Sequence, residues 1–160
     1  MSQTQPLIRI ARPHDAEAVR RFLTGLSPHA QYLRFFQELG SVPAGMIRHL
    51  VAMSPRQLAL LAWDGDEVVG HAMAACAGRP HAVDIAVVVA DAYRGAGLGD
   101  RLIRDLVDIV SRYGAAEVHS DVLTGNHLVL DWMRRRLPGV RFEPDGATVA
   151  AHGQLTSPAA

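Results

Sequence analysis

A single cysteine, Cys76, excludes any disulfide within the chain, and with it the small secreted scaffolds that depend on such bridges. It sits in the small-residue apolar run from Ala72 to Ala77 and reads as a buried structural thiol rather than a reactive nucleophile. An excess of either charge is also missing. Sixteen basic residues meet sixteen acidic ones, so nothing electrostatic points to nucleic acid or an anionic membrane as partner. No apolar run reaches the ~18 residues needed to cross a bilayer. Met1 to Pro6 is polar, without the basic and then apolar segments of a secretory leader, and the expectation is a cytoplasmic protein. No set of His, Cys and Asp carries metal-ligand spacing, so no metal is expected. What remains is plentiful apolar material, 49% of 160 residues against 20% charged. That is enough for one core and excludes global disorder.

Residues 1–152 read as a single domain and 153–160 as a frayed tail. Leu7 to Ile10 alternates as a strand. Asp15 is placed to cap a helix running to about Leu26, with Val19, Phe22, Leu23 and Leu26 on one face. Ser27-Pro28 combines a cap with proline at the first helical position and opens a second helix through Tyr32, Phe35 and Phe36. A third, short helix carries Met46, Ile47, Leu50 and Val51. Gln57 to Trp63 and Glu67 to Ala75 are predicted strands joined by Asp64-Gly65-Asp66, and Val83 to Val89 is a third in that series. A helix from about Gly97 to Tyr113 repeats Leu98, Leu102, Ile103, Leu106, Val107 and Val110 at the 3.6-residue period and stops at Gly114. Then come a strand from Glu117 to Leu123, a helix from Asn126 to Leu137, and a closing strand pair around Asp145-Gly146. The order predicts an α+β fold.

The segment richest in chemistry is Val87-Val88-Val89-Ala90-Asp91-Ala92-Tyr93-Arg94-Gly95-Ala96-Gly97-Leu98-Gly99, a strand feeding a glycine-rich turn that opens an amphipathic helix. The first amides of that helix lack intrahelical acceptors, and its dipole places roughly +0.5 charge there. Glycines let a diphosphate lie against the main chain. A dinucleotide fingerprint would need glycine where Asp100 stands, and five residues separate Val89 from Gly95. A Walker A loop would need a Lys-Ser/Thr pair, which is absent.

The segment resembles motif A of the GNAT (GCN5-related N-acetyltransferase) superfamily, Arg/Gln-x-x-Gly-x-Gly/Ala after a hydrophobic strand, filled here by Arg94, Gly97 and Gly99. The element order matches that superfamily over essentially the whole chain. The resemblance implies a central mixed, mostly antiparallel sheet of six or seven strands with about four helices, splayed where acetyl-CoA enters. It implies that Val87, Val88 and Val89 pair with the pantetheine arm, that Arg94, Gly95, Ala96, Gly97, Leu98, Gly99 and Asp100 hold the pyrophosphate, and that Asn126 contacts the coenzyme. Within the superfamily, Leu26 to Phe36 and Ser120 to Leu123 look like the acetyltransferase domain of bacterial protein-lysine acetyltransferases. That likeness implies a protein lysine as acceptor, in a partner such as an acyl-CoA synthetase, by a monomer or homodimer. A small-molecule amine is the alternative acceptor, and a catalytically silent acyl-CoA sensor the alternative function.

Acetylating an amine requires its neutral form. A lysine with a pKa near 10.4 is neutral at about one part in a thousand near pH 7.4, a cost of roughly 4 kcal/mol. A carboxylate near the thioester relieves that cost. Asp84 matches the position where the lysine acetyltransferase group carries a glutamate base, one methylene longer. Asp121 matches the acid of some N-terminal acetyltransferases. The tyrosine that protonates the leaving thiolate in many relatives has no counterpart in Leu130-Asp131-Trp132-Met133. Arg134 to Arg136 read as complements of a helix dipole, His119 and His127 as surface or core residues, Tyr32, Phe35 and Phe36 as core or acceptor wall, and Arg34 as an acceptor contact.

Overall fold

Alternating and 3.6-residue apolar patterns translate into fourteen short and long elements in the computed structural model, which describes residues 4–155. In chain order they include β1 (Leu7–Ile10), α1 (Ala16–Gly25), α2 (Pro28–Phe35), α3 (Ala44–Val51), β2 (Gln57–Asp64), β3 (Glu67–Cys76) and β4 (Ala82–Val89). After β4 come α4 (Leu98–Arg112), β5 (Glu117–Leu123), α5 (His127–Arg136), β6 (Arg141–Asp145) and β7 (Thr148–Gln154), with single 3-10 turns at Pro13–Asp15 and Asp91–Tyr93. The fold is α+β: one seven-stranded sheet in the order β1-β2-β3-β4-β5-β7-β6, flanked by five α-helices. Every neighbouring pair is antiparallel except β4 and β5.

Each face of the sheet is covered. On one, Leu102, Ile103 and Leu106 of α4 and Trp132 and Met133 of α5 pack on Ala72, Ile85, Val87 and Val118. On the other, Val19, Phe22 and Leu23 of α1 and Ile47, Leu50 and Val51 of α3 pack on Leu61, Met73 and Val88. Such side chains contribute ~1.5–3 kcal/mol each on burial, so the sheet is clamped from both sides. α4 lies close because Gly70 has no side chain; a Cβ there would stand 2.7 Å from Leu102 Cδ1.

Three expectations change. Asp15 precedes α1 but its carboxylate makes no cap; it accepts from Arg9 Nη1 and Nη2 at 2.9 and 2.8 Å and from Arg12 N at 2.8 Å. Cys76 is exposed, because β3 ends there and the small-residue run has left the core. The expected tail does not begin at residue 153: Gly153 and Gln154 belong to β7, paired with Val118 and Glu117, and Leu155 N donates to Ala116 O at 2.8 Å. Glycine at 153 is required by packing, since a Cβ there would lie 2.5 Å from Leu137 Cδ1. The rest of that segment, 156–160, lies outside the described residues.

His71, on β3 under α3, is 1% exposed, with Nε2 at 3.0 Å from Leu50 O. Burial, with the nearby Arg34 charge adding to it, pushes its pKa from 6.5 down to about 4. Unfolded, His71 takes a proton near 6.5; folded, it resists until about 4. The unfolded chain therefore binds more protons across that window, and stability falls as the pH is lowered through it, by ~3 kcal/mol over the full span. Asp15, held below the usual carboxylate range by its hydrogen bonds from Arg9, adds its loss only at lower pH. Urea midpoints measured from pH 7 to pH 4 should show this slope, and His71→Gln should remove it. A flat wild-type profile would refute the assignment.

Candidate active site

β4 and β5 run side by side for only three register pairs, Ala82 with Glu117, Val83 with Val118 and Asp84 with His119, and then part. At the fork Ser120 Oγ donates to Ile85 O at 3.0 Å. β4 remains bonded to β3 as far as Val89, and β5 to β7 as far as Leu123. Strand groups alternate in direction. Ile85 O faces β5, and Ala90 N, just past β4, donates to Val69 O of β3 at 2.9 Å. The amides of Val87 and Val89 therefore face the open side of the fork, while that of Val88 is turned to β3. All three side chains are buried, so only main chain is offered to a ligand.

The glycine turn stands at the far end of β4. Gly95 and Gly97 adopt φ of 75° and 80°, and the space where a Cβ would project from either is open. Both are conformations that β-carbons disfavour. The first amide in this stretch to find a main-chain acceptor is that of Arg101, which donates to Gly97 O at 3.1 Å; those of residues 95–100 find none among the described residues. Six free amides over an open concavity at the positive end of a fifteen-residue helix suit a polyphosphate. Leu98 puts its side chain into the core, and Gly99 makes room for α5, since a Cβ would lie 2.7 Å from Leu128 Cδ2. The carboxylate of Asp100 has one buried, unpartnered oxygen and another 3.6 Å from Arg136 Nη2. Arg94 is exposed, with Nε 3.7 Å from Asp91 Oδ1.

A cavity of about 360 Å³ fills the fork. Asp84, Ile85, Ala86 and Val87 of β4 form one wall, Ser120, Asp121 and Val122 of β5 another, Asn126 and Val129 line it at α5, and Leu33 to Phe36 of α2 border it. Asp84, Asp121, Val87 and Asn126 are thus brought together around one cavity. Asn126 precedes α5 without a capping hydrogen bond from its side chain. The side chains of Asp84 and His119 meet, Oδ1 to Nδ1, at 2.8 Å. With that nitrogen donating to the carboxylate, the lone pair rests on Nε2. The His119 ring also meets His152 of β7 edge-on, 4.4 Å between centroids. Sequence reading missed this pair because it depends on the β4–β5 register; the parity of Asp84 and His119 along their strands is the one signal that could have raised it.

α2 is fixed at its start by Ser27, whose Oγ accepts from Ala30 N at 3.1 Å. The Ser27 amide and hydroxyl donate to Asp91 at 3.1 and 2.9 Å. Burial works against the Asp91 charge, but the Ser27 hydrogen bonds and Arg94 outweigh it and hold its pKa low. In α5, Leu130, Trp132 and Met133 are buried and Asp131 pairs with Arg134 at 3.0 Å, so this stretch offers no acid to the cavity. Arg134 lies over the Phe142 ring.

The acetyltransferase (GNAT) family matches residues 17–137. The acetyltransferase PA5475 of Pseudomonas aeruginosa is 32% identical over 152 residues, covering 91% of this chain and 81% of that protein. Among solved structures, the GNAT domain of S. lividans PAT has a TM-score of 0.83 at 18% identity, covering 94% of this chain and 90% of that one. The PaiA N-acetyltransferase of Thermoplasma acidophilum, in complex with coenzyme A, has a TM-score of 0.73 at 13% identity, covering 94% and 99%. At these identities the two structures establish the shared fold, and the family match carries the rest. The chain belongs to the GNAT family and is an acetyltransferase, of the kind for which acetyl-CoA is the typical cosubstrate.

Proposed function

We propose that the protein moves an acetyl group directly from acetyl-CoA to the neutral side-chain amine of a protein lysine. The observation that carries the donor half is the run of unpaired amides at 95–100 standing at the end of the open edge of β4. In this reading those amides and Arg94 hold the pyrophosphate, the main-chain groups of Val87 and Val89, but not of Val88, pair with the pantetheine arm, and the thioester lies in the fork. The amine nitrogen attacks the thioester carbon, and a proton passes from nitrogen to Asp84, directly or through one water. The C–S bond then breaks and the thiolate departs. The amide of Val87 or Val89 is the donor for the oxyanion. The acceptor half is supported by the likeness of Leu26 to Phe36 and Ser120 to Leu123 to protein-lysine acetyltransferases.

Asp84 is favoured over Asp121 because it has a partner. His119 holds the carboxylate in one orientation through Nδ1. A shorter side chain than glutamate is thereby fixed rather than left to swing. Asp84→Asn should lower kcat by ~100-fold or more while calorimetry shows acetyl-CoA binding intact. His119→Ala should give a smaller loss of the same kind, and Asp121→Asn a change in KM for the acceptor more than in kcat. A full effect at Asp121 with none at Asp84 would reverse the assignment. A faster rate with small amines than with lysine in a folded protein would remove the lysine acceptor.

Gly97→Ala tests the cradle. A Cβ at φ 80° costs about 1–2 kcal/mol and enters the open space above the amides. Calorimetry should show acetyl-CoA binding at least tenfold weaker, with the protein still folded by circular dichroism; unchanged affinity would exclude the turn as the pyrophosphate site.

A further inference from the structure

The cation that lines the cavity has no counter-charge among the described residues. Arg34 occupies the last turn of α2, which ends at Phe36 with a left-handed φ of 62°. Its Nε is shut away from solvent and has no hydrogen-bond partner among the described residues. Its Nη2 meets only the sulfur of Met73, at 3.9 Å, a weak acceptor. The guanidinium carbon lies 4.7 Å from the centre of the Phe35 ring. No carboxylate pairs with it among the described residues, whereas Arg9, Arg79, Arg94, Arg112, Arg134 and Arg136 each have one. Burial pulls its pKa down to about 10. A guanidinium enclosed without a partner is costly to keep, and its planar fork matches a carboxylate in two parallel hydrogen bonds.

The position says which molecule brings that carboxylate. Met73 is paired with Ala86, and both lie on the face of the sheet that carries Asp84, His119 and Asp121, the face covered by α1 to α3. Arg34 borders the same cavity as Asp84 and Asp121. The phosphates of the cosubstrate belong to the turn at the other end of β4, and its acetyl thioester is uncharged. The cavity therefore sets a cation on one wall against two carboxylates on the others, the arrangement that complements an amine carrying an anion a few bonds away.

We propose that Arg34 is an acceptor-binding residue that selects amines bearing a nearby carboxylate, either a free amino acid or a lysine flanked by an acidic residue in a polypeptide. This rests on the acetyl-transfer reading above and narrows its acceptor.

Matched acceptors test it in the full-length protein with acetyl-CoA, following thiol release: 6-aminohexanoate against 6-aminohexanamide, and an N-acetylated, C-amidated Glu-Lys peptide against the Gln-Lys one. The chain contains no lysine, so its own side chains add no acetylation background. The charged member of at least one pair should be favoured by tenfold or more in kcat/KM, and Arg34→Met should abolish that preference while Arg34→Lys restores part of it. Preference in the first pair alone identifies a free amino acid, and in the second alone an acidic sequence. Equal rates within both pairs, or a preference surviving Arg34→Met, would overturn the inference. So would faster transfer from succinyl-CoA than from acetyl-CoA that Arg34→Met abolishes, because the anion would then belong to the donor. A second readout needs no turnover. Titrating the CoA-loaded protein with glutarate should shift the Arg34 Nε–H resonance, and glutaramide should not; no shift with glutarate counts against the site. Thiol release without charge preference leaves the acetyl-transfer reading standing and removes this one. A glutarate shift without thiol release from any acceptor leaves a carboxylate site at Arg34 but removes the acetyl-transfer reading and with it the role in acceptor selection.

Discussion

The separation of β4 from β5 after Asp84 and His119 is the constraint on which the site depends. A parted pair of strands exposes main-chain groups that would be expensive to bury unpaired. Here each strand keeps its other neighbour, β3 for β4 and β7 for β5, so the fork does not close by local unfolding. Ser120 satisfies the carbonyl of Ile85 at the point of divergence, and beyond it the amides of Val87 and Val89 are left for an extended ligand. A ligand that adds itself to the open edge restores the missing strand, with affinity from the main chain and little demand on side chains. That is why three consecutive valines can line a binding site while keeping their side chains in the two cores.

One carboxylate ties the two halves of the cleft together. Asp91 follows β4 and precedes the glycine turn, yet it binds the amide and hydroxyl of Ser27, the cap of α2. The donor turn and the helix that walls the acceptor side therefore share an anchor. Arg94, three residues on, is also drawn to Asp91. A phosphate bound by Arg94 would compete for that arginine, and would thereby couple cosubstrate binding to the seating of α2 through a single side chain whose charge is held by its hydrogen bonds.

Much of this was readable beforehand where one strand or helix carries the whole signal. The period of Leu98, Leu102, Ile103, Leu106 and Val110 gave α4 within a residue or two, Ser27-Pro28 marked the start of α2, and Gly95-Ala96-Gly97 marked the left-handed turn that leads into α4. Failures occurred where partners distant in sequence decide. Asp15 looked like a cap until Arg9, six residues earlier on β1, claimed it. Cys76 looked buried because its neighbours are apolar, but β3 outruns the core there. Gly99 matched a phosphate motif and also answers to Leu128 of α5. His119 looked unremarkable until a parallel register set it against Asp84. Register between strands joined by a helix leaves no local trace, and a side-chain pair spread over two such strands is hidden for that reason.

The isolation of Arg34 bears on proton transfer as well as recognition. A half-buried cation raises the potential around it, and this adds to the depression of the neighbouring His71 pKa that burial mainly causes. The same potential disfavours an ammonium entering the cavity and so favours the neutral amine that acetylation requires. Asp84 and Asp121 would act in the opposite sense, attracting the ammonium, whose proton Asp84 would take in the proposed transfer. A carboxylate docking on Arg34 would cancel part of the positive potential after the acceptor is in place, when attraction between amine and aspartate matters more than exclusion. Arginine suits this use better than lysine for a second reason: a lysine here would present a primary amine beside the thioester, a nucleophile in competition with the acceptor, whereas a guanidinium keeps its proton and does not attack.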